Sequence, residues 1–93
     1  MEFVIHALDK PDREPLRLEN RLKHVAYLKE QEDVTIMLAG PLLSDDGDHS
    51  IGSILVVDAA GRETVEKFAT NDPYRKAGLF KQVSITHWVK TMG

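Results

Sequence analysis

The order in which two hydrophobic spacings alternate along the chain narrows its fold more than any single residue does. Glu2 to Leu8, EFVIHAL, is rich in β-formers and ends in the turn-forming cluster DKPDREP. LRLENRLKHVAYLKEQED then runs without a breaker. With Pro15 suited to a first helical turn and Asp12 upstream as a cap, it predicts a helix over about 14–32. VTIMLAGPLL reads as a second strand that breaks at Gly40-Pro41, SDDGDHS as a flexible acidic loop, and Ile51 to Asp58, IGSILVVD, as a third strand. A loop of that length joins the two strands as an antiparallel hairpin. GRETVEKFATND is a second helix, with Val65, Phe68 and Ala69 on one face. It stops at Asp72-Pro73, because proline drives the preceding residue out of the helical region. A short helical turn through YRKAG ends at Gly78. In the last segment, LFKQVSITHWVK, Val83, Ile85, His87 and Val89 alternate with Gln82, Ser84, Thr86 and Trp88, as in a half-buried strand.

The resulting order, βαββαβ, predicts an α+β fold of the ferredoxin-like, split βαβ type, with both helices on one face of a four-stranded antiparallel sheet. A chain of 93 residues holds one such domain, 1–93, and leaves no room for a second. On the first helix Leu18, Leu22, Val25 and Ala26 form the stripe expected to face the sheet. Arg17, Arg21, His24 and Leu28 form a second stripe beside it, which sets His24 at the border between core and solvent. Phe3 and Ile5 alternate with Val4, His6 and Leu8, so both sides of the first strand carry apolar residues, and the third strand does the same. A monomer would leave an apolar sheet face open. A homodimer burying sheet against sheet is the simplest cover.

Composition removes several kinds of chemistry. There are no cysteines, which excludes disulfides, thiolate metal sites and cysteine nucleophiles. The net charge is -3 and the basic residues are scattered, which argues against nucleic acid as a partner. No segment approaches the ~20 apolar residues of a membrane span, so no membrane partner is expected and the location expected is cytoplasmic. The histidines show no HxH, HxxxH or HExxH spacing. His6 and His87 fall on the first and last strands, which are not expected to be neighbours, so no metal site is expected. SDDGDHSIG has the flavour of a calcium loop, yet its twelfth position counted from Asp45 is Val56, where a glutamate is needed. There is no GxSxG elbow, P-loop or GxGxxG.

Two residues stand out as candidates for chemistry. His24 offers an imidazole, the usual general base near neutral pH, one helical turn from Arg21. Asp72 is a carboxylate held rigid before proline, suited to orienting a histidine, although Asn-Asp-Pro is also an ordinary turn. Ser53 on the third strand can donate a hydrogen bond, and the small residues of Ala39-Gly40-Pro41 mark either a kink or a close approach of a ligand to the backbone.

Five segments in order, FVIHALD, RLKHVAYL, LAGPL, GSILVVD and NDPYRKAGLF, together resemble the YciI-like (YCII-related) family over essentially the whole chain. The strongest local matches are R-x-x-H-x-x-Y/L, here Arg21, His24, Tyr27 and Leu28, and DPY-x-x-x-G, here Asp72, Pro73, Tyr74 and Gly78. The resemblance implies a dimeric α+β barrel of two ferredoxin-like protomers, and an active site built on a His–Asp pair that maps onto His24 and Asp72. A related protein type eliminates chloride from a hydroxylated aromatic ring, so the resemblance also implies lyase-like proton abstraction. The hairpin segment SDDGDHSI is shorter than in many relatives, and substrate preference does not transfer through it.

The expected function is therefore that of an enzyme acting on a small, cyclic or aromatic, polar substrate. His24 serves as general acid or base, Asp72 holds it, and Arg17 or Arg21 binds an anion. Tyr74 and Ser53 supply hydrogen bonds, and no cofactor is required. The alternative is a non-catalytic small-molecule binding or interaction module using the same pocket.

Overall fold

The computed structural model describes residues 1–93. Its elements are β1 (Glu2–Asp9), α1 (Glu14–Lys29), β2 (Val34–Leu43), β3 (Ser50–Ala59), α2 (Arg62–Thr70), α3 (Pro73–Lys76) and β4 (Phe80–Trp88). The strands form one antiparallel sheet in the order β2-β3-β1-β4, so the fold is the ferredoxin-like α+β arrangement.

Alternation along β1 and β3 sorts the sheet into two faces. Phe3, Ile5 and Ala7 of β1 stand opposite Val57, Leu55 and Ser53 of β3 on the helix-covered side, where all six are buried. α2 closes this core with Val65, Phe68 and Ala69. Full burial of side chains such as Phe3, Val57 and Val65 is worth roughly 1.5–3 kcal/mol each. On the other face Val4, His6, Leu8 and Ile54 are half-buried and Leu38 is 65% exposed, with no helix over them. Gly52 sits where a Cβ would strike the carbonyl oxygen of Ala7 on the neighbouring strand, which explains its lack of a side chain.

Several details depart from expectation. α1 ends at Lys29 instead of 32, α2 at Thr70 instead of 72, and β4 at Trp88, which leaves Val89 exposed. Arg13, not Asp12, stands at the N-cap of α1 and makes no side-chain cap, while Asp12 takes a positive φ of 59°. β2 continues through Gly40-Pro41 to Leu43, its two irregularities falling instead between Ile36 and Leu38 and between Leu42 and Leu43. Proline is tolerated there because β2 is an edge strand and needs no second row of donors. β4 pairs directly with β1, so the strands carrying His6 and His87 are neighbours after all. His6 stands opposite Ser84 and His87 opposite Phe3, which puts the two histidines on opposite faces.

The largest departure concerns α1. Leu18 and Leu22, expected to face the sheet, are 65% and 84% exposed. The inward face carries Arg17 and His24, both buried, with Tyr27 and Leu28 half-buried against the core. α1 packs chiefly on α3 and stands off the sheet, leaving a cavity between helix and strands that polar side chains line. No helix is long and apolar enough to cross a membrane, and no three His, Cys, Asp or Glu side chains cluster as metal ligands.

Candidate functional site

α3 is four residues long, and a helix so short depends on its cap. Asp72 supplies it: its Oδ1 accepts the Tyr74 backbone N–H at 2.8 Å, and Pro73 presets the first turn. The same Oδ1 lies 3.0 Å from His24 Nδ1 on α1, in a contact buried from solvent. A carboxylate oxygen accepts, so Nδ1 carries the hydrogen and the neutral ring keeps its lone pair on Nε2. Cap and histidine partner are one atom.

The Tyr74 ring stacks on the His24 imidazole, with centroids 4.0 Å apart and planes at 15°. The Arg17 guanidinium carbon lies 4.6 Å from the same ring's centroid. Burial raises the Tyr74 phenol above its ordinary range, and the charges of Arg17 and Arg21 oppose this without cancelling it. The phenol therefore keeps its proton near neutral pH and acts as a donor.

Arg17 is tied from below. Its Nε and Nη2 donate to the two carboxylate oxygens of Asp9, each at 2.8 Å, and Nη2 also donates to Ser53 Oγ at 2.9 Å. Burial disfavours the guanidinium charge, but the hydrogen bonds and charge of Asp9 outweigh it and hold the proton more firmly than usual. Ser53, having accepted from Arg17, retains its own hydrogen to donate. Arg21 is exposed and takes part in no ion pair.

Arg17, Arg21, His24, Ser53 and Tyr74 line one cavity of about 220 Å³. Asp72 stands behind His24 and does not line it. Leu18, Val25 and Leu28 give the cavity an apolar side, and the small residues Ala39, Gly40 and Pro41 form its wall on β2. The sole buried side-chain polar atom that is both unpaired and shut from solvent is Trp88 Nε1. His24 Nε2, which makes no internal hydrogen bond, therefore keeps access to the cavity, as do Arg17 Nη1 and Tyr74 Oη, whose side chains stand close enough to interact with each other. These three atoms with the Ser53 hydroxyl give a base site and a set of donors in a half-open space, suited to moving a proton and receiving the charge left behind.

Sequence reasoning missed Asp9 and Glu14. The signal for Asp9 was present: it continues the alternation of Phe3, Ile5 and Ala7 onto the helix-covered face, and its side chain is 4% exposed. Glu14 has no such signal. Its Oε1 lies 2.9 Å from His49 Nδ1 and its Oε2 accepts the Ser50 N–H at 2.8 Å, so α1 clasps the end of the β2–β3 loop beside the cavity. The loop is further tied by Ser44 Oγ, which donates to Asp46 and accepts the His49 N–H.

The YCII-related domain profile matches residues 1–89. Protein YciI of Escherichia coli is 31% identical over 96 residues, covering 97% of this chain and 98% of that protein. An uncharacterized protein of Haemophilus influenzae is 29% identical over the same shares. Among solved structures, the 5-chloro-2-hydroxyhydroquinone dehydrochlorinase of Burkholderia phenoliruptrix, in complex with 2,5-dihydroxybenzoquinone, superposes with a TM-score of 0.85 at 33% identity. That superposition covers 96% of this chain and 94% of the dehydrochlorinase. A protein from Arabidopsis thaliana shares the fold at a TM-score of 0.55 and 17% identity, covering 99% and 96%. With its fold, its ordered motifs and its length all matched, the chain belongs to the YCII-related family.

Proposed function

We propose that the protein is an enzyme of lyase-like acid–base chemistry acting on a small, cyclic, polar substrate. The observation that carries this reading is the buried His24 Nδ1–Asp72 Oδ1 contact of 3.0 Å, with Nε2 open to the cavity. His24 Nε2 takes a proton from the bound molecule, and Asp72 holds the imidazole in register and stabilises its cationic form. Arg17, Ser53 and Tyr74 donate to the substrate oxygen, and Arg21 at the mouth attracts an anionic group. An apolar cavity of about 150 Å³ accepts benzene, so a space of about 220 Å³ accommodates a six-membered ring with substituents. The dehydrochlorinase likeness supports both the ring and the elimination. The two carboxylates and two guanidinium groups balance when His24 is neutral, and proton uptake leaves the pocket with one positive charge facing the substrate anion it has made.

The protein acts as a homodimer in this proposal, its open sheet face of Val4, Leu8, Leu38 and Ile54 covered by a second copy. The chemistry is tested with a panel of hydroxylated and halogenated cyclic substrates, comparing wild type with His24→Ala and Asp72→Asn. Turnover is expected to fall at least ~100-fold in His24→Ala, the usual scale for losing a general base. Turnover unaffected by both changes removes the catalytic role. Binding without turnover in any variant leaves recognition alone as the task of the pocket.

A further inference from the structure

Arg17 stands where an anion-binding residue is expected, yet its charge is already matched. Asp9 engages its fork through two hydrogen bonds of 2.8 Å, both side chains being less than a tenth exposed, so solvent screens the pair little. Ser53 holds the same edge at 2.9 Å, and Nη1, beside the Tyr74 side chain with which Arg17 also interacts, is the nitrogen left to meet a ligand. β1 and β3 thus fix the guanidinium in plane and in direction, while Tyr74 packs on its face.

We infer that Asp9 is a positioning residue that sets both the aim and the effective charge of Arg17, and so selects substrates whose contacting oxygen is uncharged when bound. Such an oxygen is a ring carbonyl or a phenolic hydroxyl. This inference rests on the acid–base reading of the site and specifies the substrate class that reading leaves open. A ligand oxygen at Nη1 lies about 4 Å from the guanidinium charge and about 7 Å from that of Asp9, so by Coulomb's law the carboxylate cancels roughly half of the attraction. A resident carboxylate gains little from Arg17. A hydrogen bond to a neutral oxygen is undiminished, and it strengthens as charge develops.

The step balances without a further reactant. The substrate's C–H or O–H bond breaks, the proton passes to His24 Nε2, and the electron pair left behind spreads onto the oxygen at Arg17 Nη1. The imidazolium so formed faces Asp72, and the new oxyanion faces a guanidinium that Asp9 keeps fixed. Both charges appear in places already prepared for them.

The test uses the full chain and two ring probes at neutral pH, uncharged phenol and anionic benzoate, with binding followed through the NMR signals of the His24 ring. In an Arg21→Gln background, which removes the separate attraction of the guanidinium at the mouth, the protein with Asp9 intact is expected to bind phenol at least as tightly as benzoate. Asp9→Asn retains an acceptor for the fork but frees the charge, and it is expected to move the affinity ratio about tenfold toward benzoate. A merely structural role for Asp9 would weaken both probes together. A folded Asp9→Asn protein with an unchanged ratio overturns the inference, as does an Arg21→Gln protein with Asp9 intact that prefers benzoate tenfold. Should Asp9→Asn fail to fold, the neutral pair Asp9→Asn with Arg17→Gln decides. It is expected to lose phenol affinity without gaining benzoate, and a gain for benzoate overturns the inference. If neither probe moves the His24 signals in wild type, the reading of the cavity as a ring-binding site fails and this inference falls with it, an outcome distinct from an unchanged ratio.

Discussion

Replacing Asp72 separates what its one oxygen does for the fold from what its charge does for His24. Asp72→Ala removes the cap of α3, worth about 1 kcal/mol. It also strips the acceptor from a second buried donor, His24 Nδ1–H, at about 1–3 kcal/mol for such a loss. The expected cost is about 2–4 kcal/mol, or a fall in melting temperature of roughly 10–25 °C for a domain of this size. Asp72→Asn keeps a neutral Oδ1, and the backbone N–H of Tyr74 pins that oxygen end of the amide toward both donors. Only the charge assistance is lost, about 1 kcal/mol. For the same reason the His24 ring keeps its hydrogen on Nδ1 in the Asn variant, where an unpinned amide would flip and move it to Nε2. Urea unfolding at constant m-value measures the two costs, and nitrogen NMR of the ring reads the tautomer. Equal costs for Ala and Asn would show that the shared oxygen does not cap α3. A hydrogen found on Nε2 in the Asn variant would refute the pinning.

The clasp between His49 and Glu14 gives a pH signature. Glu14's hydrogen bond and charge raise His49 above its ordinary 6.5, so its contribution is complete below that value and lost as pH rises through the raised one. The hydrogen bonds from His49 and the Ser50 N–H hold Glu14 below its ordinary 4.5, so its contribution is complete above that value and lost as pH falls through the lowered one. The clasp is therefore intact between 4.5 and 6.5. His49→Ala is expected to speed proteolysis of the β2–β3 loop in that window and to have little effect about three units above it. An effect that is independent of pH removes the ion pair from the account. For assembly, wild type is expected to sediment as two chains and Leu38→Lys, on the open sheet face, as one. A monomeric wild type in dilute solution rejects the homodimer.

The sheet and its helices were legible in the sequence because each change of hydrophobic period is punctuated by turn-forming residues. DKPDREP, Gly61 and Asn71-Asp72-Pro73 do this without help from distant contacts. The pairing of motifs around His24 and Asp72 was legible only through the family pattern, since 48 residues separate the two and no local spacing links them. The orientation of α1 was misread for a physical reason. A helix over a cavity turns its polar residues inward, so Arg17 and His24 occupy positions that a core would give to Leu18 and Leu22. The face on which Asp9 stands follows from simple alternation along β1, yet the residue was missed, because a carboxylate under a helix makes sense only when the guanidinium facing it is known. Gly40-Pro41 misled because its strand-breaking force depends on whether the strand has a neighbour on both sides.

The wall formed by Ala39, Gly40 and Pro41 separates two kinds of change that the protein can undergo. His24, Asp72 and Tyr74 are bound into helix packing and capping, so altering them disturbs the structure that presents them. The β2 wall carries almost no side-chain volume and lies on an edge strand, with Ala39 and Pro41 facing the helix-covered side opposite Leu55 and Ser53. In the proposed function, a larger side chain in place of Ala39, which stands opposite Leu55 on the helix-covered face, would shorten the ring that fits without touching His24 or Asp72. In the proposed function, selectivity is thus written on the margin of the sheet, where it can be revised, while reactivity is written into the part of the fold that resists revision.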